Sequence, residues 1–381
     1  MDCKKSDFQL DHSVTYFNCA YMSPQLKVVE EAGKMGLKRK RNPFKISPEE
    51  FFGETDTLRE EYAKLIHATD PKRIVVIPSV SYGMANVARN LPLSKGDNII
   101  VVGEQFPSNV YPWRTVADEA GAEIITITPP KESKDRGKLW NEKILNAITP
   151  KTKLVALGNI HWADGTLFNL KAIRKHTRKV GAWLAIDGTQ SVGALPFDVS
   201  EIQPDALVCA GYKWLMGPYS IGLAYYGPAL DNGKPVEENW INRYESENFA
   251  NLVNYNDDYQ PGALRYEVGE HSNFILVPMM LAAVKQLNAW GPENIQTYCK
   301  DLISGGIKKL KEAGYKIEDE DYRSSHLFGI RLGDDHNMEQ IKAKFEEENI
   351  LVSFRGDSIR ISPNVYNTKE EFEKLIQALV A

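Results

Sequence analysis

The sequence predicts an α/β protein with a mostly parallel seven-stranded sheet, helices on both faces, and a smaller C-terminal α+β domain. Short apolar runs rich in β-branched residues alternate with amphipathic stretches between Arg73 and Tyr226. Strands that are apolar along their whole length are typical of parallel sheets covered on both faces. A chain of 381 residues also exceeds the size at which a single core usually stops growing. These observations favour two domains.

The larger domain is predicted from the order of its strands and helices. The strands are the apolar runs Ile74–Ile77, Asn98–Val102, Glu123–Ile127, Lys153–Leu157, Trp183–Ile186, Ala206–Cys209 and Ile221–Tyr226. Helices are predicted between them at Gly83–Leu91, Val110–Ala120 and Leu170–Val180. Sheets of this kind carry their functional sites at the carboxyl ends of the strands.

The smaller domain is predicted from a different grouping of elements after residue 275. Helices are expected at Pro278–Trp290, Asn294–Ala313, Met338–Glu348 and Lys369–Val380, and strands at Tyr315–Ile317, His326–Leu332, Ile350–Phe354 and Ile359–Ile361. We therefore expect a large domain over residues 15–275 and a small one over residues 276–381, with residues 1–14 packed near the small domain. The polar stretch Asp231–Asp258 is expected to be ordered, because its aromatic side chains need packing partners.

Composition and charge narrow the classes of function. The formal net charge of -5 and the isoelectric point near 5.9 give no basic field of the kind that binds nucleic acid or anionic lipid. The cysteines, Cys3, Cys19, Cys209 and Cys299, show neither CxxC spacing nor a Cys/His cluster, so no metal site or disulfide framework is expected. The amino-terminal residues carry charges without a following apolar stretch. We expect a cytoplasmic protein with a small-molecule substrate and no nucleic acid or membrane partner.

A single lysine, Lys213, lies among aromatic and apolar residues just after the predicted strand that ends at Cys209. Its segment reads Gly211-Tyr212-Lys213-Trp214-Leu215-Met216-Gly217-Pro218. Burial lowers the pKa of a lysine because desolvation penalises the ammonium, and a neutral amine forms a Schiff base with an aldehyde. The alternative for the isolated motif is a lysine whose stem crosses apolar surface at a strand end.

An acid, Asp187, follows the strand that precedes the lysine strand, within the segment Trp183 to Ser191. Both side chains are therefore expected at one rim of the sheet. A carboxylate there suits the protonated pyridine nitrogen of pyridoxal 5'-phosphate (PLP). The alternative for Asp187 is a helix N-cap.

Small hydroxylated residues follow the first strong strand and open a helix in Ile77-Pro78-Ser79-Val80-Ser81-Tyr82-Gly83. A helix N-terminus offers backbone N–H groups and a favourable dipole to a phosphate dianion. Ser81, next to Val80, is the first candidate for a phosphate ligand. The alternative is an ordinary serine N-cap.

The combination and order of these motifs resemble the class V aminotransferase family of fold-type I PLP enzymes, which includes cysteine desulfurases, kynureninases and isopenicillin-epimerase-like proteins. The likeness runs from about Tyr16 to the C-terminus. It rests on motifs that recur in order, namely Tyr16-Phe17-Asn18, Pro78 to Gly83, Glu104 to Trp113, Asp187 to Ser191, Gly211 to Pro218, Arg265 to Gly269, and Arg360-Ile361-Ser362-Pro363 leading to Tyr366-Asn367-Thr368.

The resemblance implies a role for each of five side chains. Lys213 is implied to carry PLP as an internal aldimine and to move the proton between the substrate Cα and the cofactor. Asp187 is implied to pair with the pyridine nitrogen, and Gln190 to reach the phenolate oxygen. Phe106 falls near the family's ring-stacking side chain. Arg360 matches the arginine that binds the substrate α-carboxylate, a task suited to a planar bidentate donor.

Departures from the family pattern qualify these expectations. No cysteine lies between Ile350 and Thr368, where desulfurases carry their nucleophile, so persulfide chemistry by that route is not expected. Many relatives have Ser-x-His before the lysine where this chain has Ala210-Gly211-Tyr212, and the Tyr212 hydroxyl is the candidate replacement. Trp162 stands where an Asn often faces the cofactor. His161 is a candidate for substrate contact, with a hydrogen-bonded structural role as its alternative.

The remaining expectations concern the substrate pocket and a partner subunit. Candidates for the substrate pocket are Ala20, Tyr21, His161, Trp162, Tyr212 and Arg355. The resemblance implies a homodimer with the site at its interface and a phosphate contact from the partner after Arg265-Tyr266-Glu267. Glu270 would repel a phosphate, so His271 or Ser272 is the expected contact.

The function expected from these residues is a PLP-dependent aminotransferase acting on a small amino acid. A lyase or an amino-acid epimerase of the same family is the alternative, because all three reactions begin with loss of the α-proton. A non-catalytic PLP-fold protein is disfavoured because Lys213, Asp187, Gln190 and Arg360 are all present. A nucleotide-binding protein is disfavoured because neither GxGxxG nor GxxxxGK[ST] follows a strand.

Overall fold

The computed structural model describes residues 1–131 and 134–380. Its strands are β1 (Thr15–Tyr16), β2 (Ile74–Ile77), β3 (Asn98–Val102), β4 (Glu123–Ile127), β5 (Thr152–Gly158), β6 (Trp183–Asp187), β7 (Ala206–Ala210), β8 (Gly222–Tyr226), β9 (Phe328–Arg331), β10 (Ile350–Leu351), β11 (Ser353–Arg355) and β12 (Ser358–Ile361). Its α-helices are α1 (Lys27–Arg39), α2 (Gly53–Leu65), α3 (Val80–Asn90), α4 (Tyr111–Ala120), α5 (Arg136–Ala147), α6 (Leu170–Val180), α7 (Val199–Ile202), α8 (Leu276–Trp290), α9 (Pro292–Glu312), α10 (Met338–Glu347) and α11 (Lys369–Val380).

The central sheet has seven strands in the order β2-β8-β7-β6-β5-β3-β4. Strand β8 is antiparallel to both of its neighbours, and every other neighbouring pair is parallel. The expected mostly parallel seven-stranded sheet is therefore confirmed. Because β2, β6 and β7 run in the same direction, their carboxyl ends lie at one edge of the sheet.

Successive side chains of the sheet enter two separate cores, as the two-residue period of a strand requires. In β2, Ile74 and Val76 belong to one core, whereas Val75 and Ile77 belong to the other. Helices α2, α6 and α8 cover the first face, and α3 and α4 cover the second. Each fully buried aliphatic side chain contributes about 1.5–3 kcal/mol, so the two cores hold the strand ends rigidly in place.

The C-terminal elements enclose a third core. Strands β11, β12 and β9 form an antiparallel sheet in that order, and Leu302, Phe328, Phe345 and Phe372 pack beside it. The N-terminal segment joins this region, since β1 pairs in parallel with β10 and the backbone N–H of Lys4 donates to Val365 at 2.7 Å. The boundary near residue 275 stays a prediction.

Two details of the smaller region differ from the sequence-based expectation. Residues 315–317 do not form a strand, since only an isolated bridge joins Lys316 to Arg331. The run Ile350–Phe354 divides into β10 and β11, because its first part pairs with β1 and its second part pairs with β12. Both outcomes depend on partners that are distant in sequence.

The segment Asp231–Asp258 contains a 3-10 turn at Phe249–Asn251 and is otherwise irregular. Trp240 packs against Phe52 and Phe249, with ring centroids 6.2 and 5.5 Å apart. Tyr255 is 96% exposed, so the expectation that all of the segment's aromatic side chains pack is wrong for this residue. Within the described ranges, no helix is long and apolar enough to cross a membrane.

Candidate active site

A cavity of about 360 Å³ lies at the carboxyl edge of β2, β6 and β7, within the usual size range of ligand pockets. Eight side chains expected at the site line it together, namely Val80, Ser81, Phe106, Trp162, Asp187, Gln190, Tyr212 and Lys213. They come from five separate loops or strand ends, so the fold brings together residues that are more than 130 positions apart.

Lys213 lies in the turn after β7 and is only 7% exposed. Its Nζ lies 5.4 Å from the ring centroid of Phe106 and 5.5 Å from that of Tyr212. Burial lowers the pKa of Lys213 to about 8; the charge of Asp187 opposes this shift, and the charges of Arg360 and Arg355 contribute to it. A substantial fraction of the amine is therefore neutral near physiological pH and available to a carbonyl carbon.

Asp187 ends β6 and faces the same cavity. Its Oδ1 accepts the backbone N–H of Thr189 at 3.0 Å. Burial raises the pKa of Asp187, and the hydrogen bonds from Thr189 and the charge of Lys213 only partly offset this effect. Gly188 lets the chain turn here, because a Cβ at that position would lie 2.6 Å from the sulfur of Cys209. The carboxylate thus faces the cavity without an ion-pair partner among the described residues.

The amide of Gln190 is fixed in one orientation by two neighbours of opposite hydrogen-bonding character. Trp214 Nε1, which can only donate, lies 2.9 Å from Oε1, and the carbonyl of Ala20, which can only accept, lies 3.1 Å from Nε2. His326 supports the same residue from behind, since its Nε2 lies 2.9 Å from the Gln190 carbonyl oxygen. One N–H of Gln190 is left for a ligand in the cavity.

The N-terminus of α3 opens onto the cavity. Ser79 caps this helix by accepting the backbone N–H of Tyr82 at 3.3 Å. The hydroxyls of Ser79 and Ser81 lie 2.9 Å apart. The first backbone N–H groups, the hydroxyl of Ser81 and the helix dipole form a donor set that suits a phosphate dianion.

Aromatic rings form another wall of the cavity. Phe106 and Trp162 make an edge-to-face contact with centroids 5.4 Å apart, and the Trp162 indole donates to the Glu104 carbonyl at 2.6 Å. Glu104 and Ser220 both adopt a left-handed backbone, with φ of 55° and 65°. Such conformations cost energy in residues other than glycine and concentrate at functional sites.

Arg360 lies in β12, is 1% exposed and does not itself line the cavity. Its Nη1 donates to the Trp162 carbonyl at 2.7 Å and its Nη2 donates to Ser353 Oγ at 3.2 Å. Its Nε is buried without a hydrogen-bond partner in the described chain. Burial, with a smaller contribution from the charge of Arg355, lowers the pKa of Arg360 to about 9. This unsatisfied cation fits an incoming carboxylate.

Three other candidates for the substrate pocket, Arg355, Tyr21 and Ala20, are not among the residues that line the cavity. Arg355 is half-buried, with its guanidinium carbon 5.5 Å from the Trp162 ring centroid. Tyr21 is 56% exposed, two residues before Ser23, whose backbone N–H donates to the Tyr212 carbonyl. Ala20 is fully buried and contacts Gln190 through its carbonyl group.

His161 does not line the cavity, and its contacts do not support the expected contact with substrate. Its Nδ1 lies 3.2 Å from Asp164 Oδ1 and its Nε2 lies 3.2 Å from the Gly103 carbonyl oxygen. Its ring packs against Trp140 at 4.9 Å. Both nitrogens have partners within the fold, which favours the structural role.

His271 and Ser272 are also placed away from the cavity. His271 is buried, with Nε2 3.0 Å from the Phe51 carbonyl oxygen and Nδ1 3.4 Å from both Arg59 and Glu267. Ser272 is 8% exposed. Both side chains are enclosed by their own chain, and the expected contact of His271 or Ser272 with the phosphate of a partner subunit stays a prediction.

The cavity also contains residues that the sequence interpretation missed. Thr189, Ser108, Tyr219 and Ser220 line it, and Thr189 Oγ1 accepts the backbone N–H of Ala210 at 3.1 Å. Thr189 lies inside the Asp187 to Ser191 motif, so the motif itself was the available signal. Tyr219 and Ser220 follow a turn, where periodicity carries no information.

Comparisons with known proteins agree with this geometry. The family model described as aminotransferase class V matches residues 47–375. The chain belongs to the class V aminotransferase family. An uncharacterised aminotransferase of Bacillus subtilis strain 168, YcbU, is 26% identical over 332 residues, which cover 86% of this chain and 83% of YcbU.

Solved structures of similar fold also exist. The apo cysteine desulfurase from Thermococcus onnurineus NA1 has a TM-score of 0.84 at 20% identity, covering 100% of this chain and 98% of the other. A lysine-to-alanine variant of C-DES with glycine covalently linked to its PLP cofactor has a TM-score of 0.83 at 20% identity, covering 97% of both chains. At 20% sequence identity, the two structures show the fold of this chain and not its reaction.

PLP is the cofactor of this class V chain, and the cavity fits it. The donor set at the N-terminus of α3 suits the phosphate, the Phe106 ring suits a flat heterocycle, and the Asp187 carboxylate suits a pyridine nitrogen. The buried amine of Lys213 suits the aldehyde. The expected cofactor is therefore confirmed, and the residues that hold it are a proposal.

Proposed function

We propose that this class V enzyme is an aminotransferase that takes its amino group from a small amino acid. The observation that carries the proposal is a cavity in which the amine of Lys213 is the basic group, with a carboxylate opposite and no thiol among the described lining residues. A lysine in this setting serves reactions that begin with transfer of the α-proton.

The positions of the cysteines argue against a desulfurase. Burial raises the pKa of Cys19 to about 12, and it also raises the pKa of Cys209 and Cys299. Cys3 is exposed, and its sulfur lies 3.8 Å from the Asn367 carbonyl oxygen. A persulfide-forming nucleophile must be a thiolate near the substrate, and none of these thiols meets both conditions.

Each side chain has a separate task in the proposed reaction. Bound PLP supplies an aldehyde for the substrate amine and a ring that accepts electrons from Cα. Lys213 Nζ accepts the α-proton from the substrate Cα and would deliver it to carbon C4' of the cofactor. Asp187 holds a proton on the pyridine nitrogen, and Phe106 fixes the plane of the ring. Arg360 binds the α-carboxylate and thereby aligns the Cα–H bond with Lys213.

Isotope transfer tests the proposal against its rivals. The PLP-loaded enzyme is incubated with an amino acid labelled at nitrogen and with an unlabelled keto acid. An aminotransferase places the label in the new amino acid. Label released as ammonium together with a keto acid would instead make the enzyme a lyase, and label retained in the opposite enantiomer would make it an epimerase.

We also infer a homodimer with the cavity at its interface. Tyr219 lines the cavity and is 62% exposed, and Tyr21 nearby is also largely exposed. Large exposed aromatic side chains at a cavity mouth are typical of interaction surfaces. Light scattering on the purified protein tests this inference, since a monomer mass would overturn it. All four thiols are free, which supports a location in the reducing cytoplasm.

A further inference from the structure

Two arginines stand side by side on the hairpin formed by β11 and β12. Ser353 is paired with Arg360, and Arg355 is paired with Ser358. Directly opposed residues and residues two apart share a face of a sheet, so Arg355 and Arg360 are diagonal neighbours on one face. Their Cβ atoms are therefore expected to lie less than about 8 Å apart.

Neither cation has a carboxylate within ion-pair distance among the residues that the structure describes. Arg355 donates to the carbonyl of Phe354 at 2.8 Å, and Asp357 in the same hairpin is exposed and not paired with it. Arg360 has contacts only with a carbonyl and a hydroxyl. Two adjacent cations without counter-ions repel each other.

Three other buried or half-buried arginines of the chain form ion pairs with carboxylates. Arg136 lies 2.8 Å from Asp164 and 3.1 Å from Glu318. Arg174 lies 2.8 Å from Asp205, and Arg59 pairs with Glu267. Among the fully buried arginines of the described residues, Arg360 is thus the one without a carboxylate partner. Arg355 shares the unpaired state with the half-buried Arg265 and Arg323, but it alone of these three stands beside Arg360.

The hairpin lies against the cavity wall. Trp162, which lines the cavity, accepts a hydrogen bond from Arg360 through its carbonyl and lies 5.5 Å from the Arg355 guanidinium carbon. Arg355 also lines an adjoining groove that includes Glu104, Lys143 and Lys316. Arg355 does not line the cavity itself, and Trp162 lies between its guanidinium and the cavity.

We propose that the substrates of this enzyme are amino dicarboxylic acids of the aspartate and glutamate class, with Arg360 on the α-carboxylate and Arg355 on the side-chain carboxylate. This inference rests on the proposed function for the amino-group chemistry and adds the substrate class. A second carboxylate would neutralise the pair of cations and satisfy the planar donors of Arg355.

Equilibrium binding of unreactive acids tests the inference without any turnover. Titration calorimetry on the PLP-loaded enzyme compares succinate, which has two carboxylates, with propionate, which has one. The native enzyme should bind succinate more tightly. Arg355→Gln should weaken succinate binding about 10- to 100-fold, the loss of one charge-assisted contact, and should change propionate binding less than about 3-fold. Arg360→Lys should weaken both acids.

Lys143→Gln is the matched control, because it removes one positive charge from the exposed wall of the same groove. It should leave both affinities within about 2-fold. Equal affinity of the native enzyme for the two acids, or equal losses in Arg355→Gln and Lys143→Gln, would overturn the inference. Arg355→Lys, which keeps the charge without the planar fork, should fall between the native enzyme and Arg355→Gln.

The outcome is separable from that of the proposed reaction. An enzyme that binds succinate through Arg355 but releases labelled ammonium would refute the aminotransferase and leave the substrate class intact. An enzyme that transfers its label to a keto acid but does not distinguish succinate from propionate would support the aminotransferase and refute the substrate class.

Discussion

Asp164, which is buried, and Asp187, which is half-buried, lie near the carboxyl ends of neighbouring strands, and their charged partners differ. Asp164 lies 2.8 Å from Arg136 and 3.2 Å from His161. Burial alone would raise its pKa, but the charges and hydrogen bonds of His161 and Arg136 prevail and lower it. Asp187 has only Thr189 and the more distant Lys213, so burial prevails and raises its pKa.

The difference distinguishes a structural acid from an acid reserved for a ligand. Around Asp164 the charges of Arg136, Glu318 and Arg331 form a closed network. Around Asp187 the available charges, including Arg360, are left without ion-pair partners in the described residues. A buried charge costs several kcal/mol unless it is paired, which indicates that the second region is completed by cofactor and substrate.

The largest expected effect belongs to Lys213. Lys213→Ala should abolish the visible colour of the bound cofactor and lower turnover about 10⁴-fold, because it removes both the covalent attachment and the group that moves the α-proton. Absorbance spectra and initial rates measure both effects. Unchanged visible absorbance in this variant would refute the role of Lys213.

The comparison of the two aspartates can be sharpened by the same substitution in each. Asp187→Asn should lower kcat about 10²- to 10³-fold with little loss of stability, because an unpaired carboxylate is removed. Asp164→Asn should instead lower the free energy of unfolding by about 3–5 kcal/mol, because it leaves Arg136 with an incomplete partner. Urea denaturation should show the larger loss of stability in Asp164→Asn, and steady-state kinetics should show the larger loss of kcat in Asp187→Asn. Similar profiles for the two variants would contradict this account.

The free energy of unfolding of the apoprotein should depend on pH through the proton of Lys213. The folded pKa of about 8 lies below the ordinary value of 10.5, so the unfolded chain binds this proton more tightly and the folded state is destabilised below pH 8. Lys213→Met should therefore be more stable than the native apoprotein by about 3 kcal/mol at neutral pH. The gain should shrink between pH 8 and 10.5. A gain that does not change with pH would show that the pKa of Lys213 is not lowered.

The smallest expected effect concerns the residue behind Gln190. Trp214→Phe removes the donor that fixes the Gln190 amide and should lower kcat less than about 10-fold, in line with one neutral hydrogen bond. Because the N–H of Gln190 is proposed to donate to the anionic phenolate oxygen of PLP, loss of its fixed orientation should also move the pH midpoint of the PLP absorbance upward, by less than about one unit. An unchanged midpoint would mean that Trp214 only packs.

Residues attached to recognisable strand ends were predictable from sequence. Lys213, Asp187 and Ser81 each follow a strand, and parallel strands bring their carboxyl ends to one edge. The parallel core strands themselves are marked by uninterrupted apolar runs. These local signals are enough to give the fold class and the centre of the site.

Residues whose roles depend on distant partners were not predictable. His271 is held by Arg59, which is 212 positions away in sequence, and His161 is held by Gly103, 58 positions away. No periodicity reports such contacts, so the sequence left both a ligand role and a structural role open for His161 and could not place His271. Among the described residues, the lack of a carboxylate beside Arg355 and Arg360 is also a property of packing, and no sequence pattern reports it.

The visible spectrum of the purified enzyme before and after addition of one amino acid, with no keto acid present, tests the central claim most directly. An aminotransferase should lose its resting cofactor band and gain that of pyridoxamine phosphate, with one equivalent of keto acid formed per site, and an added keto acid should reverse the change. If the resting band persisted while keto acid and ammonia accumulated over many turnovers, the enzyme would be a lyase and the account would be wrong.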